Sequence, residues 1–184
     1  MRALYEDIKT KLETLKDSDG SNTFKWIHVW NNQLELIDQS KTYETQYPAC
    51  FIEFIPESIK QLGAGLQSFD PLTLRFHIIH RMLDAVDGTM EQNLDVFDLK
   101  KRVFKLLQKF EPTGASMFQR TLETPDHRHG SLYEFIQEYK TEYIENTALE
   151  PVNGKEVPPD TLKLTISLTV DEVDNPNEPY QIEE

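Results

Sequence analysis

The most constraining feature of this sequence is a strict alternation of apolar and polar side chains. Every second position is apolar in residues 72–78, and the same pattern returns in residues 162–170. Successive side chains of a β-strand point to opposite faces, so a period of two predicts a strand with one buried face. The chain is therefore expected to build a sheet that is covered on at least one side.

Further segments have the composition of strands, because they are rich in aromatic and β-branched residues or form short apolar runs. They are residues 24–30, 49–55, 117–123 and 132–145. The run 49–55 is apolar almost throughout, which predicts a central strand. Residues 132–145 also fit a helical stripe, so the helix remains an alternative for that segment. The glycine-containing segment 61–67 predicts a loop, and residues 124–131 predict a turn.

Two segments show the spacing of amphipathic helices. Apolar residues recur every three or four positions in residues 2–16 and again in residues 93–110, where Asn93 is a suitable N-cap and Pro112 ends the pattern. We therefore expect an α+β fold, with a mixed or mainly antiparallel sheet of four to six strands. The N-terminal helix and the second helix are expected to pack on one face of that sheet.

The predicted domain organisation is one folded body followed by an extension. Residues 1–147 form the α+β domain, and residues 148–160 have the proline, asparagine and glycine content of a linker. Residues 161–170 then form a C-terminal strand arm. Residues 171–184 contain six acidic side chains and no basic one, which predicts an acidic tail.

Charge and cysteine content exclude several classes of protein. Nineteen Lys and Arg against 32 Asp and Glu give a net charge of −13, which repels nucleic-acid phosphates and anionic lipid surfaces. The single cysteine, Cys50, excludes an internal disulfide framework and lies in an apolar run, so we expect a buried, inert thiol. Residues 1–15 mix charges with apolar positions, so no signal peptide is expected. No stretch of the chain approaches the ~18 consecutive apolar residues of a membrane span, so none is expected either.

Histidines are the side chains to consider first for a metal site or for catalysis. His127 and His129 could share a metal with Asp126, but no paired cysteine or His-Glu-x-x-His spacing accompanies them. His77 and His80, three apart on a predicted strand, should point to opposite faces. We therefore expect no metal, no cofactor and no enzymatic activity, and a solvated turn around His127.

Partner contacts are the expected role of the exposed residues. Among the aromatic residues, Phe24, Phe135 and Trp26 are expected in the core, and Trp30 is the best candidate for an exposed contact. The predicted turn and the arm supply the remaining candidates for partner binding. These candidates are Asp126, His127, Arg128, His129, Leu164, Ile166 and Leu168.

The order of these elements resembles that of the tail terminator or tail-completion proteins of long-tailed phages and prophages. The resemblance covers about residues 1–147 and is one of order and texture. It rests on the N-terminal helix, an early strand, the segment 47–54, the strand 72–78, the helix 93–110, and the sequence from Arg120 through Pro125-Asp126-His127 to Leu132 with its long final strand. The segment after residue 147 departs from a minimal member of this family.

The resemblance implies a virion structural protein that forms a ring, most commonly a hexamer, at the head-proximal end of the tail tube. Such a ring stops tube polymerisation and meets the head connector or stopper protein. Its acidic lumen lets DNA pass without specific binding, and no membrane is involved. The implied location is the tail or neck of the virion, assembled in the host cytoplasm.

Other classes of protein remain as alternatives. A connector stopper or another neck protein is the nearest competitor within phages. A non-viral protein-binding adaptor would share the acidic α+β body but would be monomeric or dimeric. A metal-dependent hydrolase would need Asp126, His127 and His129 to bind a metal ion.

The histidines of the predicted turn provide a direct test of the metal-free expectation. Replacing both His127 and His129 by alanine should leave the zinc content and the melting temperature unchanged, because a solvated turn contributes little to stability. Elemental analysis and thermal unfolding with and without zinc measure the two quantities. A large loss of melting temperature that added zinc restores would contradict the prediction.

Overall fold

The computed structural model describes residues 1–34, 47–63, 65–81, 94–126 and 132–149. Residues Met1–Glu150 form one compact unit. The predicted linker beyond residue 149, the arm 161–170 and the tail 171–184 lie outside the described residues. Across the described part of the chain, neither helix is long and apolar enough to cross a membrane.

Six strands form one sheet. They are β1 (Trp26–Val29), β2 (Ala49–Pro56), β3 (Ile59–Gly63), β4 (Leu66–Arg81), β5 (Gln119–Asp126) and β6 (Leu132–Glu145). The strand order is β1-β2-β4-β6-β5, and β3 pairs with β4 as a continuation of β2 along the same side. Only β1 and β2 run parallel, and all other pairs are antiparallel. The predicted α+β class, with a mixed and mainly antiparallel sheet, is confirmed.

Strands β4 and β6 are the longest and lie at the centre of the sheet. Their pairing runs from Gln67 opposite Glu145 to Arg81 opposite Leu132, with a register shift between Phe69 and Leu72. The β6 segment, whose sequence also suits a helix, is a strand because β4 and β5 pair with it on both sides. Tertiary pairing decides between the two patterns here, as it commonly does for apolar segments that satisfy both.

Within the described residues, two helices cover one face of the sheet, as the sequence predicts. They are α1 (Arg2–Glu13) and α2 (Leu94–Leu107). The apolar stripe of α1, formed by Leu4, Ile8 and Leu12, is fully buried. The same core contains the alternate residues of β4 and the aromatic side chains of β6. Its other buried members include Val96, Leu99, Val103, Leu107, Cys50, Ile52, Leu72, Leu74, Phe76, Ile78, Phe118, Phe135 and Tyr139.

A smaller apolar cluster lies on the opposite face, which we call the back face of the sheet. Its buried members are Leu34, Ala49, Phe51, Ile79 and Leu132, and Trp26, Trp30 and Tyr47 pack against them. Both faces of the strand run 49–52 are thus buried, which explains its nearly continuous apolar sequence. Trp26, expected in the core, is half-buried at this second cluster, whereas Phe24 and Phe135 are core residues as predicted.

Several boundaries differ from the sequence-based expectation. The predicted loop 61–67 is wrong in its extent, because β3 continues to Gly63 and β4 begins at Leu66. The glycines leave a tight connection, and Gly65 adopts a φ of +81° that favours glycine. The predicted turn 124–131 is also wrong in part, since β5 continues to Asp126 while paired with β6. The rest of that turn lies outside the described residues.

Truncation of the central core side chain of β4 tests this packing. Replacing Phe76 by alanine should lower the free energy of unfolding by about 3–5 kcal/mol, because the ring is fully buried against Tyr139 and leaves a cavity. Replacing the exposed Leu62 of β3 by alanine serves as the control and should cost less than about 1 kcal/mol. Urea unfolding measures both values. Equal losses in the two variants would contradict the assigned burial.

Candidate functional site: a sheet edge and its basic groove

A buried histidine on the back face connects three strands. His77 of β4 contacts Glu134 of β6 through Nδ1 and Oε1 at 2.6 Å, and contacts Glu53 of β2 through Nε2 and Oε2 at 3.3 Å. The side chains of His77 and Glu134 are only 6% and 2% exposed. Each ring nitrogen therefore faces a carboxylate oxygen, and the contact with Glu134 is almost fully shielded from solvent.

Arg75, two residues earlier on the same face of β4, extends this network. Its guanidinium bonds Glu53 at 2.9 Å on one side and Glu138 at 2.7 Å on the other. Burial alone would lower the pKa of Arg75, but the two carboxylates more than offset that effect and raise it. Polar contacts with carboxylates therefore repeat across β2, β4 and β6 at the spacing of alternate residues.

Trp30 covers the histidine. Its ring stacks on the His77 imidazole, with centroids 3.9 Å apart and planes within 5° of parallel. Its backbone N–H donates to the Ile52 carbonyl at 2.9 Å, which fixes the residue beside the end of β1. Trp30, expected from the sequence to be exposed, is half-buried instead, because this stacking uses one face of the ring.

This network, which we call the lock, has a structural role, because it connects three neighbouring strands. The side chains of His77 and Glu134 have little access to solvent, so a substrate has no direct approach to them. A change of strand register by one residue would turn the charged side chains onto the apolar helix face. The network therefore fixes the relative positions of β2, β4 and β6.

A polar cavity of about 530 Å³ lies at one end of the sheet, beside α2. Its lining contains Asp17, Ser18, Thr23, Pro48, His80, Asp98, Leu99 and Arg102. His80 thus lies on the helix side and His77 on the back face, so the prediction that they point to opposite faces is confirmed. Arg102 is engaged internally, since it donates to the Lys16 carbonyl at 2.5 Å and to Thr23 Oγ1 at 2.8 Å.

Cys50 has no chemical role that its surroundings favour. The side chain is fully buried in the main core, and this burial raises the pKa of its thiol. A thiol in this setting is a poor nucleophile, because the thiolate is the reactive form. Among the described residues, no three His, Cys, Asp or Glu side chains are grouped so that they could hold a metal ion.

Strand β5 forms one edge of the described sheet. It pairs with β6, and no other described strand pairs with its outer side. Leu122 is 44% exposed on this strand, and Met117 just before it is 50% exposed. Pro125 also suits an edge, because proline cannot donate a hydrogen bond to a neighbouring strand. The edge combines main-chain hydrogen-bonding groups with exposed apolar side chains.

A groove of about 280 Å³ lies between α2 and the helix side of β5. Its lining consists of Phe97, Lys100, Lys101, Phe104, Arg120 and Glu123. The Arg120 guanidinium lies 3.8 Å from the centre of the Phe104 ring, and Lys100 Nζ lies 5.5 Å from the centre of the Phe97 ring. Aromatic surfaces and cations therefore alternate along the groove.

Glu123 holds two of the three cations that line the groove, Lys100 and Arg120, in place. Its carboxylate contacts Lys100 at 2.5 Å and Arg120 at 2.7 Å. Gln137 donates to the same carboxylate at 2.9 Å and accepts a hydrogen bond from the buried Tyr139 hydroxyl at 2.9 Å. Burial raises the pKa of Tyr139, so this hydroxyl remains a donor. The groove is thus a preorganised arrangement tied to the core.

The groove coincides with the most basic segment of an acidic chain. Residues 100–109 contain five basic side chains and no acidic one: Lys100, Lys101, Arg102, Lys105 and Lys109. Lys100 and Lys101 line the groove, whereas Arg102 lies at the other cavity and pairs with Asp17. Lys101 and Lys105 are exposed on α2. In a protein with a net charge of −13, this concentration gives the surface a local charge opposite to the total.

The sequence-based candidates are placed only in part. Trp30 stacks on His77, and Asp126 ends β5 opposite Glu134. His127, Arg128 and His129 lie outside the described residues, as do Leu164, Ile166 and Leu168. The partner-binding role of all eight residues stays a prediction.

Sequence reasoning missed both the ionic network and the groove. The signal for the network was the alternation of charges in two strands, with Arg75 and His77 on one and Glu134 and Glu138 on the other. The signal for the groove was the basic run 100–109, which stands out only against the acidic average. Comparison with models of known families finds none that matches this chain, and no curated protein gives a significant match.

A double-mutant cycle on His77 and Glu134 tests the lock. Replacing His77 by leucine should lower the free energy of unfolding by about 3–5 kcal/mol, because it leaves the Glu134 carboxylate buried without this partner. Replacing both residues by leucine should recover much of that loss, since removing both partners of a buried hydrogen bond leaves no polar group unpaired by the change. Denaturant unfolding of the four proteins gives the coupling energy.

The exposed pair Lys60 and Asp70, 2.8 Å apart on β3 and β4, is the matched control. Solvent screens this pair, so its cycle should show only weak coupling. Additive losses for His77 and Glu134, as weak as those of the control, would show that the network does not act as a unit.

Proposed function

We propose that this chain is the subunit of a ring that ends a phage tail tube, acting as a tail terminator or tail-completion protein. In this role it is a structural component of the virion neck and meets the tube protein on one side and the head connector on the other. The α+β body, with two helices on one face of a mainly antiparallel sheet, is the fold that the sequence resemblance implies.

The observation that carries the proposal is the β5 edge. A closed ring requires a head-to-tail contact, in which each subunit uses two different patches for its two neighbours. The outer side of β5 pairs with no described strand and presents the exposed Leu122. An edge of this kind accepts a further strand through main-chain hydrogen bonds, and alternate apolar side chains strengthen the contact.

The arm 161–170 provides the complementary patch. Its alternating apolar side chains, among them Leu164, Ile166 and Leu168, need a sheet edge to be covered. The 12 residues from Glu150 to Thr161 could span up to about 40 Å when extended, which is enough to reach a neighbouring subunit. We propose that each arm adds a strand to the β5 edge of the next subunit, so that donor and acceptor are different surfaces.

The charge of the chain fits a ring around DNA. A net charge of −13 disfavours adhesion of phosphates to the subunits, so DNA could pass through the lumen without being held. On the back face, three carboxylates of the ionic network (Glu53, Glu134 and Glu138) accompany Arg75 and His77. This excess of acidic over basic side chains supports a structural role for the ring and a passive role towards DNA.

Mixing two assembly-defective variants tests the head-to-tail arrangement. Truncation after Leu149 removes the donor arm, and Leu122→Lys in the full chain places a charge on the acceptor edge. We expect each variant alone to stay folded and to form no rings. Their equimolar mixture should form dimers without rings, because one donor and one acceptor remain intact. Native mass spectrometry and electron microscopy, in solution and on tail tubes, report the assembly state.

The matched control is Ile59→Lys, which places the same charge on an exposed apolar position of β3. This variant should form rings and complete tails like the unmodified protein. A truncated protein that still completes tails would contradict the role of the arm. A truncated protein that no longer folds would instead show that the arm belongs to the sheet of its own subunit. A single copy bound per tail would refute the ring.

A further inference from the structure

We propose that the groove between α2 and β5 binds the acidic segment 171–184 of a second copy of this chain. The groove is lined by Phe97, Lys100, Lys101, Phe104, Arg120 and Glu123. The contact requires only a second copy, so it does not depend on a tail tube. It adds to the proposed ring a second, electrostatic contact between neighbours.

Charge complementarity identifies the occupant. Residues 100–109 carry five basic side chains and no acidic one, whereas residues 171–184 carry six acidic side chains and no basic one. These are opposite extremes of the same sequence. Lys101 lines the groove and Lys105 lies about one helical turn further along α2. Both side chains are exposed, so they can meet carboxylates while they remain solvated. A polar rim of this kind favours association without the desolvation cost of a buried ion pair.

The apolar part of the groove adds an apolar contact to the charge attraction. Phe97 is 48% exposed at one wall, and the Phe104 ring lies beneath the Arg120 guanidinium. Besides its prolines, the acidic segment contains three apolar side chains among its charges, Val173, Tyr180 and Ile182. A cavity of about 280 Å³ is of a size to receive one such side chain, with the surrounding cations meeting its acidic neighbours.

Chain connectivity brings the segment to the correct place. Residues 171–184 follow the arm 161–170 directly. The groove borders β5, since Arg120 and Glu123 of that strand form part of its lining. If the arm adds antiparallel to a neighbour's β5 edge, in line with the proposed function, its C-terminal end lies beside Gln119 and Arg120. The acidic segment then emerges beside the groove of that same neighbour.

Nucleic acid is the competing ligand for a groove of cations and aromatic rings. The total charge of −13 opposes the approach of a polyanion several nucleotides long, and Glu123 lies among the cations of the groove. A short acidic peptide meets less of this opposing charge, because it covers only the basic patch. A single-stranded oligonucleotide is therefore included as a probe, and preferential binding of that probe would overturn the proposal.

The principal experiment measures binding of a fluorescein-labelled peptide with the sequence of residues 171–184. The receptor is the full chain with all six acidic residues of this segment changed to Asn or Gln, so that its own segment does not compete. We expect saturable binding by fluorescence polarisation that weakens as salt is raised. Changing Lys101→Glu and Lys105→Glu together should weaken binding about tenfold or more.

Two controls separate the groove from general electrostatics. Lys9→Glu with Lys60→Glu makes the same change of total charge at a half-buried lysine of α1 and an exposed lysine of β3, and should leave binding within about twofold. A peptide with Tyr180→Ser and Ile182→Ser keeps every acidic residue and should bind more weakly. Equal loss with the control lysines, or no effect of the two serines, would overturn the groove as the site.

Carboxyl-to-amine cross-linking of the unmodified full chain tests the source of the segment. A mixture of ¹⁵N-labelled and unlabelled protein should give cross-links from residues 171–184 to Lys101 or Lys105 that join labelled to unlabelled peptides. Cross-links confined to one isotope, or spread equally over Lys9 and Lys60, would overturn the proposal of a second copy. Peptide binding without rings on tail tubes would refute the proposed function while leaving this inference intact.

Discussion

The pairing of β4 with β6 is the interaction on which the rest of the structure depends. Thirteen pairs of residues face each other along these two strands, and each strand has a further neighbour on its outer side. One face of the pair contributes Phe76 and Tyr139 to the core beneath the helices. The other face contributes His77 and Glu134 to the ionic network. A single register therefore satisfies an apolar face and a charged face together.

Two different physical effects hold that register. Burial of apolar side chains on the helix face stabilises the fold strongly, but it tolerates substitution, because many packing arrangements of similar volume can satisfy it. The ionic network tolerates little change, since His77 and Arg75 must each meet carboxylates on both neighbouring strands. We infer that the apolar face supplies most of the stability and that the charged face supplies much of the specificity.

The fold was accessible from sequence because its signals are local. Helical spacing identified Leu4, Ile8 and Leu12 as one stripe, and alternation identified Leu74, Phe76 and Ile78 as one side of a strand. Strand pairing is a property of distant residues, so the parallel pairing of β1 with β2 had no local signal. The stacking of Trp30 on His77 was missed for the same reason. The two residues are 47 positions apart, and the local sequence pattern around one of them carries no information about the other.

Glu123 has a kinetic consequence for any ligand of the groove. Its carboxylate already contacts Lys100 and Arg120, so an incoming anion shares these cations with a resident acceptor. The cations keep their geometry while the groove is empty, so an anion meets an ordered site, and long-range attraction speeds its arrival. The resident carboxylate also shortens the lifetime of the contact by competing for both cations. In the proposed ring, a contact that forms quickly and breaks quickly would let misaligned subunits separate and bind again before the ring closes.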